Sequence, residues 1–187
     1  MRAFCALNLD VASTRRLHEA ALALRAHGLA WEARWVPPTR MHVTLKFFGD
    51  VDLGLAPALS DAIAPLSDAE SVIRVGYTRL AGFPSDDRAE VIVALVDDVA
   101  GDVRRLRERV EEATNQLGFE REDREFRPHV TLARLSRPCD VGAWLGTVPL
   151  PDEPATVTEI VLYRSDFSSA GHEYAALSRF GMGRGSR

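Results

Sequence analysis

The 187-residue sequence predicts an α+β fold built from two related halves. Segments typical of strands and of helices are mixed along the chain, and several neighbouring strand pairs favour antiparallel pairing. No low-complexity linker divides them, so we expect a single domain over residues 1–180 and a flexible tail over residues 181–187. The tetrapeptide HVTL begins at His42 and again at His129, close to half the chain apart. This repeat indicates a duplicated βα unit.

The first half of the chain is predicted to contain two strands and two helices. Residues 2–9 are short and rich in apolar side chains, which is typical of a strand. Ser13 is expected to cap a helix that ends before Gly28, because apolar residues recur there at helical spacing and glycine commonly ends a helix. Residues 41–48 have the composition of a strand, and residues 53–66 are predicted to be helical.

The rest of the chain is predicted to contain a strand pair, the clearest helix, a further strand, a short helix and a final hairpin. Residues 72–80 and 90–96 are predicted strands on either side of a segment rich in turn-forming residues. Apolar side chains recur at helical spacing from Val103 to Leu117, and Gly118 marks the end of that helix. The remaining predicted elements are a strand over residues 127–135, a short helix over residues 140–145 and a hairpin of residues 156–163 and 172–180.

The composition excludes several classes of protein. Hydrophobic residues make up 46% and charged residues 27% of the chain, which is ordinary for a globular protein and unlike a disordered or fibrous one. No apolar run reaches the roughly 20 residues of a membrane span. Asp10 falls where a signal peptide needs its apolar stretch, so we expect a cytoplasmic protein. Cys5 and Cys139 lack the spacing of a zinc site and are expected to be reduced thiols.

The net charge limits the kind of nucleic acid the chain could bind. It is −4 at pH 7, whereas proteins that coat long nucleic acids usually present a basic face. Any nucleic-acid substrate is therefore expected to be small, or to be contacted at one end.

Each copy of the repeated tetrapeptide has two different faces. Alternate side chains of a strand share a face, so histidine and threonine point one way and the two apolar residues point the other way. The face with the polar groups holds His42, Thr44, His129 and Thr131, and the apolar face holds Val43, Leu45, Val130 and Leu132. If the two halves meet symmetrically, two imidazoles and two hydroxyls face one groove.

This set of groups suits acid–base chemistry on a phosphate ester. A neutral imidazole accepts a proton while a protonated one donates, and threonine hydroxyls can hydrogen-bond anionic oxygens. A single copy is better explained as an ordinary strand histidine, but the matched pair favours a site. We assign His18, His27 and His172 to structural or solvent positions. No HxH, HxxxH or HExxH spacing supports a metal site.

The alternation of side chains along a strand indicates which cations near the two motifs share a face with the histidines. Arg40 and Lys46 share the predicted face of His42, and Arg127 shares that of His129. These three could contact a phosphate, or they could be solvated cations at strand ends. Arg134 has the opposite parity and is expected to point away from the groove unless a bulge intervenes.

The two motifs and their flanking segments resemble those of the 2H phosphoesterase superfamily. Within it they are similar to the RNA 2′,3′-cyclic phosphodiesterases of bacteria and archaea, a family also described as 2′-5′ RNA ligases. The similarity extends in order through nearly the whole chain. It is carried by RAFCAL at residues 2–7, WVPP at 35–38, HVTLKFFG at 42–49, FRPHVTLAR at 126–134 and LYRS at 162–165.

The resemblance implies a bilobal molecule, with an antiparallel sheet and outer helices in each lobe and a central cleft. It implies hydrolysis of a terminal 2′,3′-cyclic phosphate of RNA to a 2′-phosphate, with His42 as the proton donor and His129 as the proton acceptor. Thr44 and Thr131 would hold the phosphate oxygens. The reverse reaction would give a 2′-5′ linkage. No metal or nucleotide cofactor and no obligate protein partner is implied, and no oligomerisation pattern argues against a monomer.

Two other functions remain open from the sequence. The same groove could belong to a non-catalytic protein that binds RNA ends or nucleotides. It could also belong to a phosphodiesterase for a small cyclic nucleotide, which the acidic net charge favours over a long RNA.

Overall fold

The computed structural model describes residues 1–26, 33–68, 71–168 and 171–183. Within these residues the chain forms eight strands and four α-helices. The strands are β1 (Arg2–Leu9), β2 (Ala33–Trp35), β3 (His42–Asp50), β4 (Ile73–Phe83), β5 (Ala89–Asp97), β6 (His129–Cys139), β7 (Ala155–Ser168) and β8 (Gly171–Gly181). The helices are α1 (Val11–Leu24), α2 (Ala56–Asp68), α3 (Asp102–Asn115) and α4 (Gly142–Leu145).

The described strands pair antiparallel throughout and fall into two groups of four. One group has the order β3–β1–β7–β8, and the other has the order β4–β5–β6–β2. Two short pairings join the groups: Val43 with Val130, and residues 73–75 with residues 155–157. The predicted α+β class with two antiparallel halves is confirmed, and the halves form one continuous hydrogen-bonded network.

The first helix begins at a different residue from the predicted one. Asp10 is the N-cap of α1, because its carboxylate accepts a hydrogen bond from the Ser13 amide at 2.6 Å. Ser13 itself is buried, and its hydroxyl accepts the Thr156 amide at 3.2 Å. The carboxylate satisfies an amide that has no partner within the helix, which is the usual task of a cap. The helix ends at Leu24, and residues 27–32, which include the predicted end at Gly28, lie outside the described residues.

The helices cover the sheet with the apolar faces that their spacing predicts. The buried side chains of α1 include Leu17 and Leu24. Those of α3 include Val103, Leu106 and Val110. Helix α2 packs on α3, β7 and β8, and α3, which follows β5 of the second strand group in the chain, lies against β3 of the first group. The two halves are therefore interlocked through one core rather than folded side by side.

The structured part of the chain extends beyond the predicted end of the domain at residue 180. Gly181 is the last residue of β8, and the Met182 amide donates to the Thr158 carbonyl at 2.9 Å. The Met182 side chain is also buried against the core. The predicted boundary at residue 181 is therefore wrong by at least two residues, because the β7–β8 pairing continues to that point. Residues 184–187 lie outside the described residues.

The other predicted elements are present with shifted ends. Strand β4 continues to Phe83, and β6 runs from His129 to Cys139. No helix among the described residues is both long enough and apolar enough to cross a membrane.

Candidate active site

The two HVTL motifs cross each other at their valines. Val43 of β3 is paired with Val130 of β6 in antiparallel register, and both side chains are fully buried. Continuing that register by one residue sets His42 opposite Thr131 and Thr44 opposite His129. The crossing thus relates the motifs by a local two-fold axis, and each histidine faces the threonine of the other motif.

Both histidine rings are held in the same way. The Nδ1 atom of His42 lies 2.7 Å from the Arg40 carbonyl, and Nδ1 of His129 lies 2.7 Å from the Arg127 carbonyl. A carbonyl oxygen only accepts hydrogen bonds, so each Nδ1 carries the proton and donates. In the neutral ring Nε2 therefore holds the free electron pair, and in the protonated ring it becomes a donor. Both rings thus leave Nε2 as the atom that exchanges protons.

A bulge in β3 changes which side chain follows the first motif on the groove face. Cys5 of β1 is opposite Lys46 and Ala6 is opposite Thr44, so Leu45 is an extra residue in the ladder. As a result Leu45 and Lys46 are both buried, and Phe47 points outward with 60% of its surface exposed. The parity prediction for Lys46 is wrong, because this bulge reverses the alternation.

Lys46 instead forms a buried ion pair beneath the cleft. Its ammonium group donates to the Glu111 carboxylate of α3 and to the Glu120 carbonyl, the latter at 2.9 Å. Arg107 pairs with the same carboxylate at 3.2 Å. The side chains of Lys46 and Glu111 are 2% and 1% exposed, so this pair ties α3 to β3.

A matching bulge in β6 turns Arg134 toward the cleft, whereas the bulge in β3 turns Lys46 away from it. Ile92 of β5 is opposite Ala133 and Val93 is opposite Thr131, which makes Leu132 the extra residue. Arg134 therefore lines the same cavity as the histidines, although regular parity predicts that it points away. Phe47 and Arg134 occupy equivalent positions after the two motifs.

The cleft between the motifs has a volume of about 300 Å³. This is at the small end of the range for ligand pockets. The described residues that line it include three arginines and no carboxylate. They are Phe4, Arg34, Trp35, Val36, Pro37, Arg40, His42, Thr44, Phe47, Val91, His129, Thr131, Arg134 and Tyr174. The cleft is therefore positive, although the chain as a whole is acidic.

Of the two arginines that the sequence offers as phosphate contacts, Arg40 and Arg127, only Arg40 lines this cleft. Arg127 lines an adjoining cavity of about 470 Å³ that shares Thr44, Phe47 and His129 with the cleft. The Arg127 guanidinium lies over the Phe83 ring at 4.7 Å, and Phe83 packs edge-on against His129 at 4.9 Å.

An aromatic cluster supports the other histidine. The ring of Phe4 is 5.2 Å from that of His42, and Tyr174 packs edge-on against His42 at 5.6 Å. Tyr163 stacks on Phe4 at 5.1 Å. The Tyr163 hydroxyl hydrogen-bonds the Asn8 side chain at 3.0 Å, and Asn8 is the cross-strand neighbour of His42. These contacts limit the orientations open to the His42 ring.

The cleft lowers the pKa of both histidines. Burial is the largest cause for His42 and, with the positive charges of Arg134 and His129, lowers its pKa to about 4, against the opposing hydrogen bond to the Arg40 carbonyl. Burial also lowers the pKa of His129, and the charges of Arg127 and Arg134 add to that effect. Both imidazoles are therefore neutral at pH 7 in the cleft itself. A phosphate anion would raise both pKa values, since negative charge favours the protonated rings.

His18 and the two cysteines do not line this cleft. His18 is half-buried on α1, and neither His27 nor the side chain of His172 is among the described parts of the chain. Burial raises the pKa of the Cys5 thiol to about 12, so it is not a nucleophile. Cys139 is a free, half-buried thiol. In the described part of the chain no three His, Cys, Asp or Glu side chains cluster as metal ligands do.

The sequence did not identify Arg34, Phe47 and Tyr174 as groups that line the cleft. Tyr174 lies far beyond the second motif in the chain, and Arg34, although only eight residues before His42, is brought to the cleft by the pairing of β2 with β6. Phe47 lies next to the first motif, but the bulge that exposes it has no sequence signal.

A pair of His-x-Thr strands that cross in one cleft of an antiparallel α+β fold defines the 2H class of phosphoesterase folds. Residues 11–167 match the family model described as the 2′-5′ RNA ligase superfamily, and the chain belongs to that superfamily.

Relatives and solved structures agree with this assignment. The chain is 36% identical over 100 residues to an RNA 2′,3′-cyclic phosphodiesterase of Aeropyrum pernix, covering 54% of this chain and 56% of the relative. It is 30% identical over 156 residues to a protein of the same name from Geobacillus stearothermophilus, covering 78% and 46%. The matches thus span about half the length of these relatives. The crystal structure of a Thermus thermophilus protein, TT0787, covers all of both chains with a TM-score of 0.79 and 26% identity.

Proposed function

We propose that this protein hydrolyses the 2′,3′-cyclic phosphate at the 3′ end of RNA to a 2′-phosphate by acid–base catalysis with two histidines. The observation that carries the proposal is the pair of imidazoles in one positive cleft, each with Nδ1 bound to a carbonyl and Nε2 left to exchange protons. The names of the two relatives support the substrate, since both are called RNA 2′,3′-cyclic phosphodiesterases.

The reaction needs one base and one acid on opposite sides of the phosphorus. His129 Nε2 takes a proton from water as the water oxygen forms a bond to phosphorus. His42 Nε2 gives a proton to the 3′ oxygen as the bond between that oxygen and phosphorus breaks. The product carries a 2′-phosphate and a 3′-hydroxyl, and the excess proton on His129 returns to solvent or to His42. The crossing at Val43 and Val130 supports this arrangement, because it relates the two histidines by a local two-fold axis.

Three further groups would hold the phosphate between the rings. Thr44 and Thr131 line the same cleft as the two histidines, so their hydroxyls can donate to the two non-bridging oxygens. Arg134 lines the same cleft and adds a permanent positive charge. These charges oppose the negative charge that develops as water attacks.

The protonation of His42 depends on the substrate in this mechanism. Burial and Arg134 lower the pKa of His42, so the ring in the cleft is mostly neutral at pH 7. The cyclic phosphate brings one negative charge close to that ring and raises its pKa, so that substrate binding and protonation of the acid are coupled. His129 remains the neutral partner, since a second proton between the rings is disfavoured by the first.

The same proposal covers the need for a metal, the reverse reaction, and the oligomeric state and location of the protein. The chemistry needs no metal, because the histidines and cations supply the acid, the base and the charge. The reverse reaction, attack of a 5′-hydroxyl group on the cyclic phosphate, would form a 2′-5′ linkage. We expect the protein to act as a monomer in the cytoplasm.

The test is hydrolysis of an oligoribonucleotide that ends in a 2′,3′-cyclic phosphate, with EDTA present. We expect turnover that EDTA does not reduce and a product with a 2′-phosphate. A 3′-phosphate product would contradict the assigned roles of His42 and His129. Binding of 2′-phosphorylated RNA without turnover of the cyclic form would instead identify a binding protein.

A further inference from the structure

The adjoining cavity of about 470 Å³ opens beside His129 and not beside His42. It shares Thr44, Phe47 and His129 with the cleft. His42 and Thr131 line the cleft but not this cavity. The two histidines therefore have different surroundings, although the tetrapeptides that carry them are identical.

The proposed mechanism gives this cavity a chemical position. In a displacement at phosphorus, the attacking oxygen enters roughly in line with the oxygen that leaves. His129 takes the proton of the attacking group, whereas His42 serves the 3′ oxygen of the terminal nucleoside. A cavity that opens beside His129 alone of the two therefore lies on the side from which the nucleophile arrives.

The size of the cavity exceeds what hydrolysis needs. One water molecule has about 30 Å³ of liquid volume, so the cavity is many times larger than an attacking water. Its volume falls within the range of about 300–1,000 Å³ that is typical of small-molecule sites. The nucleophile's side of the site thus has room for a nucleoside that carries an attacking hydroxyl group.

The walls of the cavity offer surfaces on which a base can stack. Phe47, Phe83 and Phe126 line it, and the Phe47 side chain is 60% exposed. Arg127 also lines it, is exposed, and has its guanidinium 4.7 Å from the centre of the Phe83 ring. That guanidinium forms no hydrogen bond or ion pair with the described part of the chain. Unstacked RNA bases stack on aromatic rings and on arginine planes, so Arg127 is available for such a contact.

The charge of the cavity differs from that of the cleft. Lys46 and Arg107 share a buried carboxylate, and the Arg124 Nε donates to the Glu122 carboxylate at 2.6 Å. Glu122 and Glu125 line the cavity as well, whereas the described lining of the cleft has no carboxylate. This nearly balanced charge favours the uncharged 5′-hydroxyl end of a nucleic acid over a second phosphate monoester.

One wall of the cavity is anchored to the elements beneath it. Residues of the loop between α3 and β6 form this wall. The Lys46 ammonium donates to the Glu120 carbonyl at 2.9 Å, and Arg107 donates to the Glu122 carbonyl at 3.1 Å. The cavity is therefore formed before a ligand enters, which lowers the cost of ordering on binding.

We propose that the adjoining cavity binds the 5′-terminal nucleoside of an acceptor RNA, with its base against Arg127 and its 5′-hydroxyl beside His129 Nε2. This inference rests on the proposed function, because that function makes His129 the base. The 5′ oxygen forms a bond to phosphorus as its proton passes to His129. The bond from phosphorus to the 3′ oxygen breaks as that oxygen takes a proton from His42. The product is a 2′-5′ phosphodiester, and the bound acceptor competes with bulk water because it is held in place.

A competition between nucleophiles tests the cavity. The donor is 5′-O-methyladenosine 2′,3′-cyclic phosphate, which has no 5′-hydroxyl of its own, and the added nucleophile is adenosine or methanol. The measured quantity is the ratio of transfer to hydrolysis per unit concentration of nucleophile. We expect adenosine to exceed methanol about ten- to a hundredfold in this ratio, which is the range that stacking of one base gives.

The variant Arg127→Ala should bring the value for adenosine close to that for methanol. Arg127→Lys should do the same, because lysine keeps the charge but not the plane. Water, methanol and adenosine all react through the same histidines, so an altered pKa of His129 affects them alike. The matched control is Arg121→Gln, since Arg121 is exposed on the same loop and lines neither cavity. This control should keep the full preference.

The same ratios state what would overturn the proposal. Equal use of adenosine and methanol by the wild type would do so, as would a preference that Arg127→Ala leaves unchanged. Only folded, active protein contributes to the ratio, so a loss of stability in the variant does not alter it. A 5′-hydroxyl dinucleotide replaces adenosine in a further arm. Transfer to it at least as efficient as to adenosine supports an RNA end as the acceptor, and transfer to adenosine alone would overturn that assignment.

Calorimetry separates failure of this inference from failure of the proposed function. The ligands are two diesters of 3′-deoxyadenosine 2′-phosphate, one with methanol and one with the 5′-hydroxyl of adenosine. They carry equal charge, and neither can form a cyclic phosphate because the 3′-hydroxyl is missing. We expect the wild type to bind the adenosine diester about ten- to a hundredfold more tightly, and Arg127→Ala to lose this difference.

The two failures then give different results. If the cyclic phosphate is not hydrolysed, the proposed function fails while the calorimetric ratio still tests the cavity. If hydrolysis occurs and the wild type binds both diesters equally, the cavity is not an acceptor site. Equal weakening of both diesters in Arg127→Ala would place Arg127 at the phosphate between the histidines and would also overturn the proposal.

Discussion

Val43 and Val130 face each other where β3 crosses β6, and neither side chain is accessible to solvent. On each strand a histidine comes directly before this valine and a threonine comes directly after it. The single crossing therefore fixes the relative position of four polar groups. The core anchors the crossing from below through Leu45 and Leu132, which are 2% and 0% exposed. The site is therefore built on rigid strands rather than on loops, which is the arrangement that keeps two rings at a fixed separation.

The first prediction concerns the two histidines of this crossing. His42→Ala and His129→Ala should each lower kcat by about 10²- to 10⁴-fold on an oligonucleotide with a cyclic end, since each removes one proton-transfer group. The double variant should lose much less than the product of the two, because the rings act as a unit. His18→Ala is the matched control, as His18 lies on α1 outside the cleft. Near wild-type kcat in either single variant would exclude the mechanism.

The second prediction concerns the pH dependence of kcat/KM, which reports the pKa values of the free protein. The reactive form carries one proton on the pair, and its fraction is greatest between the two pKa values. Because the pKa of His42 is lowered to about 4 and that of His129 is lowered from 6.5, the optimum should lie below pH 6.5. Above the higher pKa the rate should fall about tenfold per pH unit. The optimum of kcat should lie at higher pH, since bound phosphate raises both pKa values.

The measurement is a rate profile from pH 4 to 9 at constant ionic strength. The same lowered pKa values mean that the folded protein binds fewer protons than the unfolded chain between pH 4 and 6.5, so its stability should decline as the pH falls through that window. Circular dichroism at each pH measures how much of the protein is folded. A fall in rate caused by unfolding can then be separated from a fall caused by titration of the histidines. A kcat/KM that stays constant from pH 6 to 8 would contradict the lowered pKa values.

The third prediction concerns Arg134, whose charge lowers the pKa of both histidines. Arg134→Gln should raise both pKa values, and an NMR titration of the imidazole protons measures this directly. The kcat/KM optimum should move to higher pH, while its maximum falls about ten- to a hundredfold from the loss of a charged phosphate contact. Arg164→Gln, at an exposed ion pair of β7, is the control and should change neither. If the imidazole titrations of the variant match the wild type, Arg134 does not act on the rings.

The same pair of bulges explains how far the sequence could predict the site. The repeat and strand parity correctly placed His42, Thr44, His129 and Thr131 on one face, and the apolar spacing identified the buried faces of α1 and α3. Parity failed immediately after each motif, where an extra residue sits in the ladder. A bulge depends on how the neighbouring strand pairs, and the apolar run around it is the same with or without it. The cap at Asp10 was misplaced for a related reason, since both Asp10 and Ser13 are good caps and the Ser13 hydroxyl is used by Thr156 instead.

The last prediction concerns Lys46, which the bulge turns away from the cleft and into the core. Its ammonium group is buried against Glu111, and Arg107 shares that carboxylate. Lys46→Met keeps the length of the side chain but leaves Glu111 with one cation instead of two. Removing one partner of a buried pair typically costs about 3–5 kcal/mol, and the remaining Arg107 should reduce the cost to about 3 kcal/mol.

Urea unfolding measures this loss, and Lys46→Met combined with Glu111→Leu should recover part of it, because no buried carboxylate is then left underpaired. The exposed pair of Arg164 and Asp166 supplies the control, where Asp166→Ala should cost less than about 1 kcal/mol. The kinetics decide between the two roles that the sequence left open for Lys46. If Lys46 is structural, the variant should be less stable than the wild type. Its KM, measured well below the melting temperature of the variant, should be close to that of the wild type. A substrate contact gives the reverse, a raised KM at unchanged stability, and that result would contradict the burial of Lys46.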